Sequence, residues 1–218
     1  MSKSPFKILV LISGNGSNLQ AIIDQIRNGD LPVDICAVLS NKADAYGLQR
    51  AREANIPTLL VEHKDYPDRT AFDQAMQAKI DECQPDLIVL AGFMRILTDE
   101  FVEHYLGRMI NIHPSLLPDY KGLDTHQRVL DDGKDIHGVS VHYVTPALDD
   151  GPVILQSQVE VGSDDTANSL AARVQKEEHY IYPLAIRWIA EGRIEYRNGQ
   201  VYFDDHPLLK PLLQSSAN

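Results

Sequence analysis

The chain has 218 residues, 44% hydrophobic and 23% charged, with a net charge of −11. Folding a chain of this length hides roughly 70% of the unfolded surface, so a sizeable core needs no disulfide or metal staple. The acidic balance argues against a nucleic-acid footprint, which shows basic clusters, and no apolar run approaches the ~18 residues of a transmembrane helix.

The opening MSKSPFK is too short before the first strand to be a signal peptide, so a cytoplasmic protein is the default. Cys36 and Cys83 form no metal-type cluster and read as buried reduced thiols, with one disulfide as the alternative. KILVLI (7–12) is a continuous apolar run, the pattern of a strand covered on both faces. SNLQAIIDQIRNG has Leu19, Ile22, Ile23 and Ile26 at helical spacing, with Ser17 and Gln20 as a capping box and Gly29 as the stop. VDICAVLS is a second strand, 47–54 a helix and PTLLVE a third strand; 68–83 is a long helix and DLIVLAGF (86–93) a fourth strand. Residues 98–106 form a helix with Thr98 as its N-cap, and MINI is a fifth strand.

The rhythm changes after residue 113. Residues 114–125 are a loop rich in Pro, Gly and Asp, and 126–132 a short helix. HGVSVHYV and PVILQSQVEV are strands joined by TPALDDG, a link that allows an antiparallel pair. Residues 166–191 are helical, with Pro183 inside and Gly192 at the end; RIEYRNGQVYF is a hairpin with Asn198-Gly199 at its turn. The alternation predicts an α/β, Rossmann-like fold: a mostly parallel central sheet flanked by helices, with antiparallel additions in the C-terminal half. With no interdomain linker, residues 1–218 read as a single domain, made of a nucleotide-binding-like half (about 7–112), a second half (about 113–205) and a loose tail (207–218).

Ser13-Gly14-Asn15-Gly16-Ser17-Asn18 follows the first strand and opens the first helix, where glycines and free N–H groups suit an anion. The dinucleotide fingerprint fails, because Leu19 stands where the third glycine belongs, and no Gly-Lys-Ser/Thr makes a P-loop. A monophosphate site and a tight turn with an ordinary cap both remain open. Asn111 and His113 lie two apart on extended chain, so their side chains share a face. An amide and an imidazole aimed together can donate to one oxyanion; a loop cap and a satisfied interior histidine are the plainer reading. Asp149 and Asp150, in ALDDGPV, either bond local backbone or orient His113. His63, His104 and His206 read as surface residues, and no histidine pair has zinc spacing, so no metal is expected.

The whole chain resembles the glycinamide ribonucleotide formyltransferase family of purine synthesis, from about residue 7 to 205. The resemblance is carried by VLISGNGSNLQAII (10–23), LSNKADAYGLQRA (39–51), VLAGFMRIL (89–97), INIHPSLLPDYKGLDTHQRVL (110–130), HGVSVHYV (137–144) and LDDGPVILQ (148–156). It implies transfer of the formyl group of 10-formyltetrahydrofolate to the amine of 5-phosphoribosylglycinamide. Asn111, His113 and Asp149 match the family's catalytic residues; Gly16, Ser17 and Asn18 its phosphate contacts; and Glu178 its ribose contact. Arg69, Met94, Arg95, Ile96 and Leu97 match its folate segments, as do Thr145, Pro146, Ala147, Leu148 and Asp149, with Asn111 also beside the folate. Plain core is the other reading of Met94, Ile96 and Leu97. The resemblance gives Ser140 and His142 support roles. Partners would be small molecules, with no nucleic acid or membrane, and the state a monomer or weak homodimer.

Two positions depart from the family. Asp124 stands where some members have histidine or asparagine, and Asp150 where glycine is frequent. Another 10-formyltetrahydrofolate-dependent formyltransferase or hydrolase is the alternative. Methionyl-tRNA formyltransferase would be expected to add a C-terminal RNA domain, and formyltetrahydrofolate hydrolase an N-terminal regulatory one. A nonenzymatic phosphate-sugar-binding module would keep the glycine loop without needing the Asn-His-Asp set.

Overall fold

The computed structural model describes residues 5–214. Two compact units divide the chain between Ile110 and Asn111.

The first unit is a parallel α/β layer. Its strands β1 (Phe6–Ile12), β2 (Val33–Ser40), β3 (Thr58–Leu60) and β4 (Leu87–Leu90) lie in the order β4-β1-β2-β3, every pair parallel. Ile8 through Ile12 are all buried, so both faces of β1 are covered, which is why it reads as an unbroken apolar run. Between the strands come α1 (Ser17–Arg27), α2 (Tyr46–Glu53), a 3₁₀ turn (His63–Asp65) and α3 (Arg69–Cys83); α4 (Asp99–His104) follows β4. Thr98 caps α4 as expected, its hydroxyl accepting from Phe101 N at 3.3 Å, and Asp68 caps α3 by accepting from Ala71 N at 2.8 Å. The Ser17–Gln20 capping box is corrected: the chain enters α1 through Gly16, in left-handed conformation (φ 73), with no side-chain cap bond. Cys36 and Cys83 are free and half-buried rather than buried, and burial pushes the Cys36 thiol up to about 11.

Strand β5 (Met109–His113) runs across the boundary between the units. The second unit continues with α5 (Thr125–Asp131), β6 (Ile136–Tyr143) and β7 (Val153–Glu160). β6 and β7 pair antiparallel, as the short TPALDDG link allows. The long helix α6 (Ala167–Ala190) starts at a Thr166–Ser169 capping box and carries Pro183 in its buried face. Gly192, at φ 73, follows its end. β8 (Ile194–Arg197) and β9 (Gln200–Phe203) form the expected hairpin, with Asn198 at φ 51 and Gly199 at φ 84, both positive as a type I′ turn requires. β10 (His206–Pro207) extends that hairpin into a separate three-stranded sheet.

The tail departs from the loose segment expected after residue 207. Leu212 and Leu213 form β11, parallel to β7 at Leu155 and Gln156. Two residues of strand carry no periodicity, so the sequence holds no signal for it. Positions 215–218 lie outside the described residues. The observed class is the expected one: mostly parallel strands with helices, plus antiparallel additions in the C-terminal half.

Candidate active site

β5 ends by carrying Asn111 half-exposed and His113 buried, with the covered Ile112 between them. Asp149 reaches the same place from the turn after β6, in left-handed conformation (φ 47), a region that Asp tolerates better than most residues. Its Oδ2 lies 3.5 Å from His113 Nδ1, and both side chains are more than nine-tenths buried. The direct approach of Asp149 to His113 was beyond the reach of sequence. Asp149 Oδ1 lies 3.7 Å from His142 Nε2, so one carboxylate faces two imidazoles.

A short strap, Tyr120-Lys121-Gly122, covers this pair by three successive contacts. The Tyr120 carbonyl accepts from His113 Nε2 at 2.9 Å, Lys121 pairs with Asp150, and Gly122 N donates to Asp149 Oδ2 at 3.0 Å. Tyr120 is itself left-handed (φ 55), uncommon for a bulky residue, and that turn places its carbonyl on the imidazole. A carbonyl only accepts, so His113 Nε2 carries a hydrogen. Arg128 braces the strap from α5, donating to Lys121 O at 2.7 Å and Leu123 O at 3.3 Å, with its guanidinium over the Tyr120 ring.

Beneath lies a buried polar network. Ser140 Oγ donates to Ser115 O at 2.7 Å and accepts from Leu117 N and from Gln156 Nε2, which also lies 2.9 Å from Leu117 O. These bonds satisfy Ser115 O, Leu117 N and Leu117 O of the HPSLLP turn. The buried His137 shares a 3.0 Å hydrogen bond with His126 Nδ1. Burial first, then His126 and His113, pushes His137 down to about 4; burial also lowers His126.

In the first unit the glycine loop is tightly built. Ser13 Oγ donates to Asn41 Oδ1 at 2.6 Å and accepts from Met94 N at 2.8 Å. Gly47 N donates to Gly14 O, and a Cβ on Gly16 would meet Gly47 Cα at 2.7 Å, so both positions exclude a side chain. Arg50 holds the loop from α2, donating from Nε to Asn15 O and from Nη2 to Asn15 Oδ1. Of the candidate phosphate contacts, Gly16 and Asn18 are buried and Ser17 is the first residue of α1.

The candidate folate residues divide by environment. Met94 is 69% exposed and Ile96 58%, which removes the plain-core reading for both; Leu97 is buried. Arg69 is exposed at the start of α3, and the Arg95 guanidinium lies over Phe72. In the second unit Pro146, Ala147 and Leu148 are exposed, Thr145 is half-buried, and Glu178 is half-buried on α6. Among the described residues no group of three or more His, Cys, Asp or Glu could hold a metal ion, and no helix is long and apolar enough to cross a membrane.

A family model described as formyl transferase matches residues 6–186. The chain belongs to this formyl transferase family. It is 52% identical over 201 residues to phosphoribosylglycinamide formyltransferase of Escherichia coli (strain K12), covering 92% of this chain and 95% of that one. It is 44% identical over 200 residues to the human trifunctional purine biosynthetic protein adenosine-3, covering 91% of this chain and 20% of that one. A solved phosphoribosylglycinamide formyltransferase from Coxiella burnetii, in complex with CHES, superposes with a TM-score of 0.93 at 55% identity over 96% of this chain and 99% of that one.

In this formyl transferase several residues escaped the sequence reading. The Tyr120 carbonyl and Gly122 N–H are main-chain groups, invisible to any reading of side-chain types. Arg50 and Gly47 fall within the 39–51 segment that carried the resemblance, but they bear no motif of their own.

Proposed function

We propose that this chain transfers the formyl group of 10-formyltetrahydrofolate to the amine of 5-phosphoribosylglycinamide, giving formylglycinamide ribonucleotide and tetrahydrofolate. The observation that carries the reading is the Asn111, His113 and Asp149 cluster, its carboxylate 3.5 Å from the imidazole, in a chain 52% identical to an enzyme of that name.

The substrate amine attacks the formyl carbon, forming a C–N bond and a tetrahedral oxyanion. Asn111 Nδ2 and His113 Nε2 donate to that oxygen. To do so His113 exchanges its 2.9 Å bond to the Tyr120 carbonyl for the oxyanion. Asp149 fixes the ring through Nδ1 and assists the proton on its way from the attacking amine to the departing folate nitrogen, whose bond to the formyl carbon breaks as the oxyanion collapses. No covalent enzyme intermediate is needed, because the nucleophile is already an amine.

Gly16, Ser17 and Asn18 are assigned to the substrate phosphate and Glu178 to its ribose. Met94, Ile96, the 145–149 turn, Arg69, Arg95 and Leu97 are assigned to the folate, as the resemblance implies. Exposed apolar side chains suit a flat pterin. The reaction is assigned to the cytoplasm.

The test is a formyl-transfer assay of the purified chain with 5-phosphoribosylglycinamide and 10-formyltetrahydrofolate. Formylated product is expected. A folded chain that makes none, or that only hydrolyses the formyl folate, overturns the reading.

A further inference from the structure

Residues 91–98 are irregular backbone between β4 and α4, and they carry Met94, Arg95, Ile96 and Leu97. Such a segment holds one shape only where its main chain is tied down. Its entrance is tied through Ser13, whose N donates to Gly92 O at 3.1 Å and whose Oγ accepts from Met94 N at 2.8 Å. Its exit is tied by a side chain from another element. Asp73, on α3, is 2% exposed, and its Oδ2 accepts from Thr98 N at 2.7 Å.

Asp73 Oδ1 is buried too and has no hydrogen-bond partner among the described residues. A buried carboxylate with an idle oxygen is costly, and an apolar side chain would fill the same place without that cost. Burial pushes the carboxyl up; its bonds to Thr98, then Arg69 and Arg95, pull against that rise. Core packing alone therefore does not account for an aspartate here.

We infer that Asp73 is a positioning residue: its bond to Thr98 N fixes the exit of the 94–97 segment in the shape that receives the folate. This rests on the folate assignment made above. Phe72, its neighbour on α3, meets the Arg95 guanidinium at 5.4 Å from the ring centroid, so α3 grips the segment at two places. A bond to a charged acceptor is shorter and stronger than a neutral one. That suits a segment that keeps Met94 and Ile96 exposed and must still hold its form.

Amide hydrogen exchange in the unliganded chain tests the bond itself. In Asp73→Ala the Thr98 N–H should exchange about 10-fold faster or more, the scale of a hydrogen bond to a charged group. Unchanged exchange at Thr98 overturns the inference. So does an equal acceleration throughout α1, which would show general destabilisation.

The second arm reads binding. 5-Formyltetrahydrofolate keeps the pterin but lacks the N10 formyl group, and it is titrated by calorimetry. Asp73→Ala should weaken its binding about 10-fold and raise KM for 10-formyltetrahydrofolate alike, with kcat and KM for 5-phosphoribosylglycinamide near the parent values, the pattern of lost uniform binding. Asp73→Asn keeps the shape and an oxygen that can accept from Thr98 N, so it should recover most of the loss in both arms. Equal KM increases for both substrates, an unchanged folate affinity, or no recovery with Asn overturns the inference. Exchange and titration can both be read in a chain that transfers no formyl group, so their failure is distinct from failure of the proposed reaction.

Discussion

Lowering the pH below about 6.5 should destabilise the second unit through the His126–His137 pair. His137 is pushed from the ordinary 6.5 down to about 4, chiefly by burial, while the unfolded chain keeps the ordinary value. Between those two pH values the unfolded state binds the proton and the folded state does not, so stability is full above about 6.5 and falls as pH drops toward 4. At about 1.4 kcal/mol per pH unit, the loss approaches about 3 kcal/mol below pH 4 and is about 2 kcal/mol at pH 5. These are upper bounds, since the partner His126 is only half-buried and admits water. The physical event is loss of the 3.0 Å bond, because two protonated rings have no acceptor to share. Trp188, the only tryptophan, sits on α6 of the same unit and reports its unfolding. Urea titrations followed by Trp188 fluorescence at pH 7.5 and pH 5.0 would be compared between the parent chain and His137→Gln. The variant should lose stability at pH 7.5 but show a pH-dependent drop smaller by about 1–2 kcal/mol. An equal drop in both chains would refute the assignment to this ring.

Asn111→Ala and His113→Ala should each lower kcat by about 10²–10³, the range for one oxyanion donor, with near-parent values in both sinking the assigned roles. Gly16→Ala places a Cβ 2.7 Å from Gly47 Cα at a residue with φ +73, so steady-state kinetics should show a raised KM for the phosphorylated substrate. Thermal unfolding should show a loss of about 1–3 kcal/mol; an unchanged KM would remove the loop from phosphate binding. Ser140→Ala strips the buried Leu117 N and Ser115 O of their partner, and urea unfolding should register about 1–3 kcal/mol. A change below about 0.5 kcal/mol would mean the turn finds other partners. Lys121→Ala, in a half-exposed ion pair with Asp150, should shift stability by less than about 1 kcal/mol.

What was legible in the sequence follows from what each element asks of its residues. β1 and β4 are covered on both faces and must be apolar throughout, so their cores stood out, though β4 stops at Leu90, short of the Gly92-Phe93 expected in it. The Asn198-Gly199 turn needs two positive φ angles, which few other pairs supply. The start of α1 misled because Ser17 and Gln20 match a capping box by type, while the chain enters through a left-handed Gly16 pressed on Gly47 of α2, a tertiary constraint with no local trace. In the candidate site, Asn111, His113 and Asp149 stood out as polar side chains interrupting apolar or turn patterns, and it was the resemblance that preferred a catalytic reading of them to the plainer one. Tyr120 did not stand out, since its carbonyl is common to every residue and its left-handed backbone is set by the packing of the loop.

The second unit therefore uses main-chain carbonyls to fix side-chain protons. Tyr120 O fixes a hydrogen on His113 Nε2, and Tyr143 O fixes one on His142 Nδ1, with the Asn111 amide 3.2 Å from its Nε2. One carbonyl lies at the end of β6 and the other in the 120–122 strap, where Tyr120 is left-handed. The two fixings differ in kind. The Tyr143 carbonyl is a neighbour in sequence and stays with His142 whatever the loop does. The Tyr120 carbonyl belongs to a strap that also bonds Asp149 and pairs with Asp150, so a reaction that freed His113 would loosen the contacts around Asp149 as well. In the proposed mechanism His113 becomes available only when its bond to Tyr120 O is given up, which would tie that oxyanion donor to ligand binding.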